Sequence, residues 1–369
     1  MSTIQAPDER VLRPRTVVGG LSVVDRFLPV WILLAMVLGL ALGRIVPGLG
    51  PAIGKWQVQS VSVPIAIGLL LMMYPILARV RYERVTQAAQ DWRMLGASLF
   101  LNWIVGPALM FALAWLLLPD QPALRTGVIL VGLARCIAMV LVWNQLASGD
   151  PDYAAILVAL NAIFQIVAYA GLAVFYLNVL PGWLGLQGQS IAVSAGAVAA
   201  SVGIFLGVPL IAGLLTQFTL VRRKGRTWYD DTFVRRTSRL TLVGLLFTIV
   251  VMFALQGNTI TNAPVTVARV MLPLVGYFIC MFVLAFFGAW ALGFPYEKAT
   301  TLGFTAAGND FELAIAVAVS VFGVQSAQAL GAVIGPLAEV PALLGLVYVA
   351  LWARHRLFRG DPRSKDAAA

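Results

Sequence analysis

Long apolar runs alternate along the chain with short polar breaks, and the runs are too long and too uniform for a water-soluble core. Ten can be marked, at residues 28–46, 58–78, 95–118, 124–147, 153–179, 191–216, 240–256, 270–293, 298–323 and 328–352. Each approaches the roughly 20 residues that a helix needs to cross about 30 Å of hydrocarbon. Membrane barrels instead show short segments of strict apolar–polar alternation, a pattern missing here. The chain is therefore expected to be an all-α integral membrane protein with ten transmembrane helices. An arm over residues 1–26 would precede a membrane domain over 27–354, and a tail over 355–369 would follow it.

Composition supports that expectation. Charged residues make up 11% of the chain, against about 25% in soluble domains, and the mean hydropathy is +0.89. The first run, "WILLAMVLGLALGRIVPG", has no small-residue cleavage pattern after it and reads as a retained helix. Cys136 and Cys280 both lie inside apolar runs, which excludes a disulfide framework. Cys280, in "YFICMFV", has no polar neighbour and reads as a small buried apolar residue. His355, the only histidine, falls past the last run and is expected in solvent.

The net charge of +10 raises nucleic acid as a partner, but the basic residues lie between apolar runs, where topology accounts for them. With an even number of crossings both termini share a side. That side carries 21 of the 26 basic residues: four in the arm, four in 79–93, seven in 222–239, Lys298 and five in the tail. The opposite loops carry Arg44, Lys55, Arg125 and Arg269 at or beyond the ends of runs, leaving Arg135 as the single basic residue in the interior of a run. Both termini are thus expected in the cytoplasm, beneath the inner membrane of a bacterium, and nucleic-acid binding is set aside. The longest charged connection, "VRRKGRTWYDDTFVRRTSR", reads as a solvated cytoplasmic loop rather than as a lipid-binding element.

Ten crossings divide into two sets of five, and an odd number per half inserts the second half upside down. The repeats would cover about 27–180 and 190–354, so the fourth and ninth runs should correspond. Writing "TGVILVGLARCIA" above "LGFTAAGNDFELA" aligns Gly127 with Gly303, Gly132 with Gly308 and Ala138 with Ala314, and sets Cys136 opposite Glu312. A glycine near the middle of a span, followed at once by Arg135 and Cys136 or by Asn309, Asp310 and Glu312, suits an interrupted helix whose freed backbone groups meet a ligand. The other reading is two continuous helices with polar packing contacts, but ionisable groups at mid-membrane usually mark function.

The stretches "MYPILARVRYE", "LARCIAMVLVWNQLASGD", "FTAAGNDFELAIAVAVSVFG" and "GPLAEVPALLGLVYVALW", in that order, resemble the Acr3 arsenite efflux permeases of the bile acid, arsenite and riboflavin transporter superfamily. The resemblance runs from about residue 25 to residue 355. It implies ten helices in inverted repeats, with helices four and nine broken and crossed in a core domain that moves against a panel domain. It also implies export of arsenite, sometimes antimonite, in exchange for protons, with no cofactor. The residues it carries over are Cys136, Arg135, Trp143 and Asn161 on the fourth and fifth spans, Glu312 on the ninth and Glu339 on the tenth. One departure stands out: the family usually reads Ser-Asn-Asn before "FELA", and here residues 308–310 are Gly-Asn-Asp. The extra carboxyl of Asp310 bears on ion coupling.

Physical chemistry gives each residue a task under that reading. Trivalent arsenic prefers soft sulfur, and a single thiol at Cys136 makes a contact weak enough to release its cargo. Arg135, and a half-helix beginning near residue 134, would favour the thiolate, while burial opposes it. Glu312 is the expected proton carrier, with Asp310 sharing the work. Glu339, between Pro336 and Pro341, is either a further titrating group or a ligand to backbone amides freed by the prolines. A standing ion pair from Arg135 to one of these carboxylates is the structural alternative. Trp143, two helical turns beyond Cys136, would wall the cavity or simply pack. Asn161 would bond the arsenic hydroxyls or another helix, and Asn309 would face the substrate or cap the following half-helix.

Two other functions compete with arsenite efflux. A sodium-coupled organic-anion carrier of the same fold would make the cysteine incidental. An intramembrane thiol enzyme needs an oriented base, and the one histidine is outside the membrane. No Walker motif is present, so nucleotide hydrolysis would have to come from another subunit.

Overall fold

A computed structural model describes residues 27–46, 48, 56–58, 61–80, 91–186 and 193–358. Its helices, in chain order, are α1 (Leu28–Ile45), α2 (Val63–Arg79), α3 (Trp92–Leu117), α4 (Pro122–Leu133), α5 (Met139–Leu146), α6 (Pro151–Trp183), α7 (Ala195–Lys224), α8 (Arg235–Asn262), α9 (Pro264–Ala291), α10 (Tyr296–Ala307), α11 (Phe311–Phe322), α12 (Ala327–Val333) and α13 (Gly335–Leu357). Among the described residues seven helical stretches are long and apolar enough to cross a membrane, and α2, α4 and α11 are shorter apolar helices. One small exception to an all-α chain is an antiparallel pair, β1 (Gln57–Val58) with β2 (Val61–Ser62). The arm 1–26, Lys55, the basic stretch 81–90 and the tail from 359 lie outside the described residues.

Proline punctuates the long helices in a consistent way. α3, α6 and α7 each contain a five-residue π-helical turn, at Leu101–Val105, Phe175–Val179 and Gly203–Gly207. Each turn ends two residues before a proline, namely Pro107, Pro181 and Pro209. Proline has no N–H for the usual bond and its ring crowds the preceding turn, so the helix widens locally instead of breaking. Helix starts are capped by side chains: Asp91 accepts from Met94 N–H ahead of α3, Asp150 from Asp152 and Tyr153 N–H ahead of α6, and Ser326 from Ala329 N–H ahead of α12.

The helices pack in two sets. α1, α2, α7 and α8 form one, in which α8 lies against α1 and α2, and α2 against α7. Gly39 and Gly43, one turn apart on α1, let the α8 backbone approach so closely that a Cβ there would fall 2.6 Å from the Val250 carbonyl oxygen and 2.4 Å from that of Ala254. Lipid gives helices little reason to associate through apolar surface alone, so such small-residue contacts supply the packing. In the other set α9 lies against α3, α10 and α13, and α4 against α3 and α12. Large apolar side chains such as Val37, Leu116, Val167 and Phe218 point outward, where lipid receives them.

Three sequence expectations need correction. The charged stretch 222–239 is helical rather than a solvated loop: α7 runs to Lys224, Gly225 turns the chain at φ +83°, and a π turn at Tyr229–Val234 leads into α8. Tyr229 is fully buried there, its hydroxyl donating to the Ala78 carbonyl at 2.7 Å. Arg125 is in the first turn of α4, not in a loop. It is buried, with its guanidinium over the Trp115 ring and bonded to the carbonyls of Leu118 and Pro119. Cys280 is exposed on α9 instead of buried. His355 is exposed in the last turn of α13.

Candidate functional site

Helical structure stops at Leu133 and resumes at Met139, and it stops at Ala307 and resumes at Phe311. The two interruptions lie side by side. Cys136 N–H donates to the Gly308 carbonyl and Asp310 N–H to the Ala134 carbonyl, each at 3.2 Å, so Arg135 and Asn309 face one another as a single antiparallel rung. Exchanging backbone bonds in this way satisfies groups that neither helix can satisfy alone. Gly308 is required by the approach, since a Cβ on it would lie 2.9 Å from the Cβ of Cys136.

Four helix ends meet here, and each has a matching group. The C-terminal carbonyls of α4 and α10 carry partial negative charge, whereas the N–H groups at the starts of α5 and α11 carry partial positive charge. At the α4 end, Leu130, Val131 and Gly132 carbonyls accept from Tyr169 Oη, Asn309 Nδ2 and the Arg135 guanidinium respectively. At the α10 end, Ala306 accepts from Arg135 at 3.5 Å and from Tyr277 Oη at 3.3 Å. At the α5 start the Val140 N–H donates to Cys136 Sγ at 3.2 Å. At the α11 start Asp310 is the N-cap, accepting from Leu313 N–H at 3.0 Å.

Several sequence expectations shift at this point. The half-helix begins at Met139 rather than near residue 134, so Cys136 is on the extended strand and lends its sulfur to the helix start. Asp310, not Asn309, caps α11; Asn309 reaches across to the carbonyls of Val131 and Ala134. Arg135 makes no ion pair: it bonds the Gly132 and Ala306 carbonyls and the Tyr277 hydroxyl, with no carboxylate among the described residues bonded to it. Glu339 is buried on α13, and its Oε1 has no partner among the described residues.

Around the rung, polar atoms are buried without partners in the protein: Asp310 Oδ2, Glu339 Oε1, Asn309 Oδ1, Asn161 Nδ2, Gln165 Nε2 and Trp143 Nε1. Such groups are costly unless something completes their bonding. Cys136 is buried beside them, while Glu312 is half-buried.

A cavity of about 410 Å³ opens between α2 and α8 on one side and α5 and α6 on the other. It reaches Ala138 and Met139, two residues beyond Cys136, and at its other end is lined by Arg79, Asp152 and Asp230. Trp143 does not line it. Because the helix starts at Met139, Ala138, Leu141, Val142 and Gln145 face the cavity, and Trp143, on the opposite side of α5, is fully buried.

Two residues missed in the sequence complete the site. Gln165 accepts from Arg135 N–H at 2.9 Å, and Tyr277 holds the guanidinium. Gln165 was detectable, standing one helical turn after Asn161 in an otherwise apolar run. Tyr277 carries no such signal, since an isolated tyrosine in a membrane helix has many uses.

Comparison with known proteins agrees with this architecture. Residues 66–263 match the family model described as the Sodium Bile acid symporter family. The chain is 51% identical to the arsenical-resistance protein Acr3 of Corynebacterium glutamicum, an alignment covering 94% of each chain. It is 30% identical to the protein of that name from Alkaliphilus metalliredigens over 91% of this chain and 94% of the relative. An uncharacterised transporter of Synechocystis is 32% identical over 90% of this chain and 89% of its own. These are transporters, and the reading as an intramembrane enzyme falls away. The chain belongs to the Sodium Bile acid symporter family and, within it, stands with the Acr3 arsenical-resistance proteins.

Proposed function

We propose that this chain is a secondary transporter that expels trivalent arsenic, as arsenite and antimonite, in exchange for protons, and so confers arsenic resistance. The observation that carries the reading is the single rung between the two broken helices. It sets one thiol, Cys136, beside the buried Asp310 and two residues from Ala138, where a cavity ends. Neutral As(OH)3 has a soft centre and hard hydroxyls. Cys136 would meet the arsenic, and Asn161, Asn309 and Gln165 offer the hydroxyls hydrogen bonds. A proton carried by Glu312, with Asp310 sharing the work, is the coupling ion in this scheme, with Glu339 as a further titrating group.

On this reading the helices make ten crossings in two inverted repeats, with α4–α5 and α10–α11 as the fourth and ninth. The set α1, α2, α7 and α8 is the panel and the remainder the core. The distribution of basic residues puts both termini, and the mouth of the cavity at Arg79 and Asp230, in the cytoplasm of a cell bounded by this membrane. The cavity is then a water route from the cytoplasm toward Cys136.

Arsenite uptake into everted membrane vesicles, with an imposed pH gradient and without one, tests the proposal. Flux driven by the gradient in sodium-free medium is the expected result. Flux of an organic anion that requires sodium, with no movement of arsenite, would overturn it in favour of the sodium-coupled carrier.

A further inference from the structure

Among the described residues Arg135 is the cation at the place where α4 and α10 end, and its guanidinium bonds go to backbone carbonyls and a hydroxyl. One guanidinium nitrogen serves the Gly132 carbonyl at the end of α4, and the other the Ala306 carbonyl at the end of α10 together with Tyr277 Oη. The side chain is fully buried. Tyr277 in turn donates to the same Ala306 carbonyl, so the hydroxyl and the guanidinium form one cluster. Space for that cluster comes from Gly106 on α3, where a Cβ would stand 2.7 Å from Arg135 Nη1 and 2.9 Å from Tyr277 Oη. The two Nη nitrogens of the guanidinium join both halves of the crossing, while its Nε is buried without a partner among the described residues.

Inward-facing carbonyls at the C-terminal ends of broken helices are the chemistry by which membrane carriers hold sodium, and partial negative charge from two such ends would need a cation. We propose that the Arg135 guanidinium is a tethered counter-cation for α4 and α10, standing where a bound monovalent cation would otherwise be required, with Tyr277 and Gly106 positioning it. The proposal rests on the transporter reading and reassigns Arg135 from substrate ligand to positioning residue. It makes the crossing independent of sodium, and it leaves Cys136, Asp310 and Glu312 to face the cargo. The second half of the chain has Phe311 where an equivalent arginine would be, at the same offset that pairs Cys136 with Glu312. One cation therefore serves both ends.

The test compares wild type with Arg135→Met, Arg135→Lys and Tyr277→Phe in two measurements. These are arsenite flux in everted vesicles and thermal unfolding of the purified protein, each in choline, sodium or millimolar guanidinium chloride. Wild type should show the same flux and the same unfolding temperature in all three media. Arg135→Met should lose flux by about tenfold or more, because the carbonyl ends of α4 and α10 lose their charged donor. Guanidinium should restore part of that flux and raise the unfolding temperature of this variant alone. Arg135→Lys should fold and retain more flux than Arg135→Met, and Tyr277→Phe should lower flux without creating a response to cations.

Wild-type flux that needs sodium, or an Arg135→Met variant that transports like wild type, overturns the proposal. So does an Arg135→Met variant whose unfolding ignores both cations. If Arg135→Met fails to fold, Arg135→Lys decides: a variant that keeps the charge and also fails to fold shows that charge is not what the crossing needs. Absence of arsenite flux in wild type would sink the cargo assignment instead, while the unfolding measurements would still judge the role of Arg135.

Discussion

Cys136 and Gly308, 172 residues apart in sequence, are joined by a 3.2 Å backbone hydrogen bond from the cysteine N–H to the glycine carbonyl. That bond sets the thiol against the second broken helix, and the spacing tolerates nothing larger than hydrogen on Gly308.

Gly308→Ala should therefore be damaging. The added carbon would meet Cys136 Cβ at 2.9 Å and the Phe304 carbonyl at 3.3 Å, and neither neighbour is the tip of a flexible side chain. Overpacking of this kind costs about 1–3 kcal/mol, and the rung should separate. Gly288→Ala on α9, with nothing within 4 Å, is the control. Thermal unfolding in detergent and vesicle flux should fall for the first and not for the second.

Cys136→Ser should abolish arsenite flux and leave the protein folded, because a serine hydroxyl can still accept the Val140 N–H while offering no soft ligand. Cys280→Ser, on the exposed face of α9, should transport normally. Flux by the two variants at equal membrane abundance checks this, and normal transport by Cys136→Ser removes the thiol from the mechanism.

Asp310→Asn should keep α11 stable, since asparagine caps a helix about as well as aspartate, whereas Asp310→Ala should cost about 1 kcal/mol. Glu312→Gln should separate arsenite movement from the proton gradient. Unfolding curves test the first statement. The response of flux to an imposed pH difference tests the second, and an unchanged response in Glu312→Gln moves the proton to Asp310 or Glu339.

At the start of α3, outside the membrane-spanning stretch, Asp91 receives hydrogen bonds from Lys298 Nζ at 2.6 Å and from Tyr153 Oη at 2.9 Å. Burial pushes this carboxyl up, but bonds from Lys298, Tyr153 and Met94 N–H outweigh burial and hold it below the ordinary aspartate value of 3.8. A carboxyl lowered by folding adds stability above its unfolded value and loses it as pH falls through the folded one. The difference in unfolding temperature between wild type and Asp91→Asn should be constant near neutral pH and shrink toward zero below about pH 4. A difference that persisted in acid would show that charge is not what holds the contact.

Much of this was legible in the linear chain because its causes are local. Seven helical stretches among the described residues are long and apolar enough on their own to cross a membrane, and the glycine-plus-charge pattern at residues 132–136 and 308–312 is incompatible with an undisturbed span. The cap on α11 was misassigned by one residue, because Asn309 and Asp310 have equal capping chemistry. Only the register of the break shows that Asn309 is turned toward α4. A half-helix beginning near residue 134 would put Trp143 on the face of Cys136; the five residues from 134 to 138 are not helical, and the face rotates away.

By itself the sequence determined the solvent of this protein and the places where its helices fail. Hydropathy, glycine and charge act within a few residues and need no fold to be felt. Only the tertiary structure decided what Arg135 is bonded to, that Tyr277 and Gly106 surround it, and that Asp310 caps α11 while Asn309 reaches α4. Those facts depend on helix ends brought together from distant parts of the chain. Buried polar groups in a membrane take whatever partners the packing supplies, and no local signal names them.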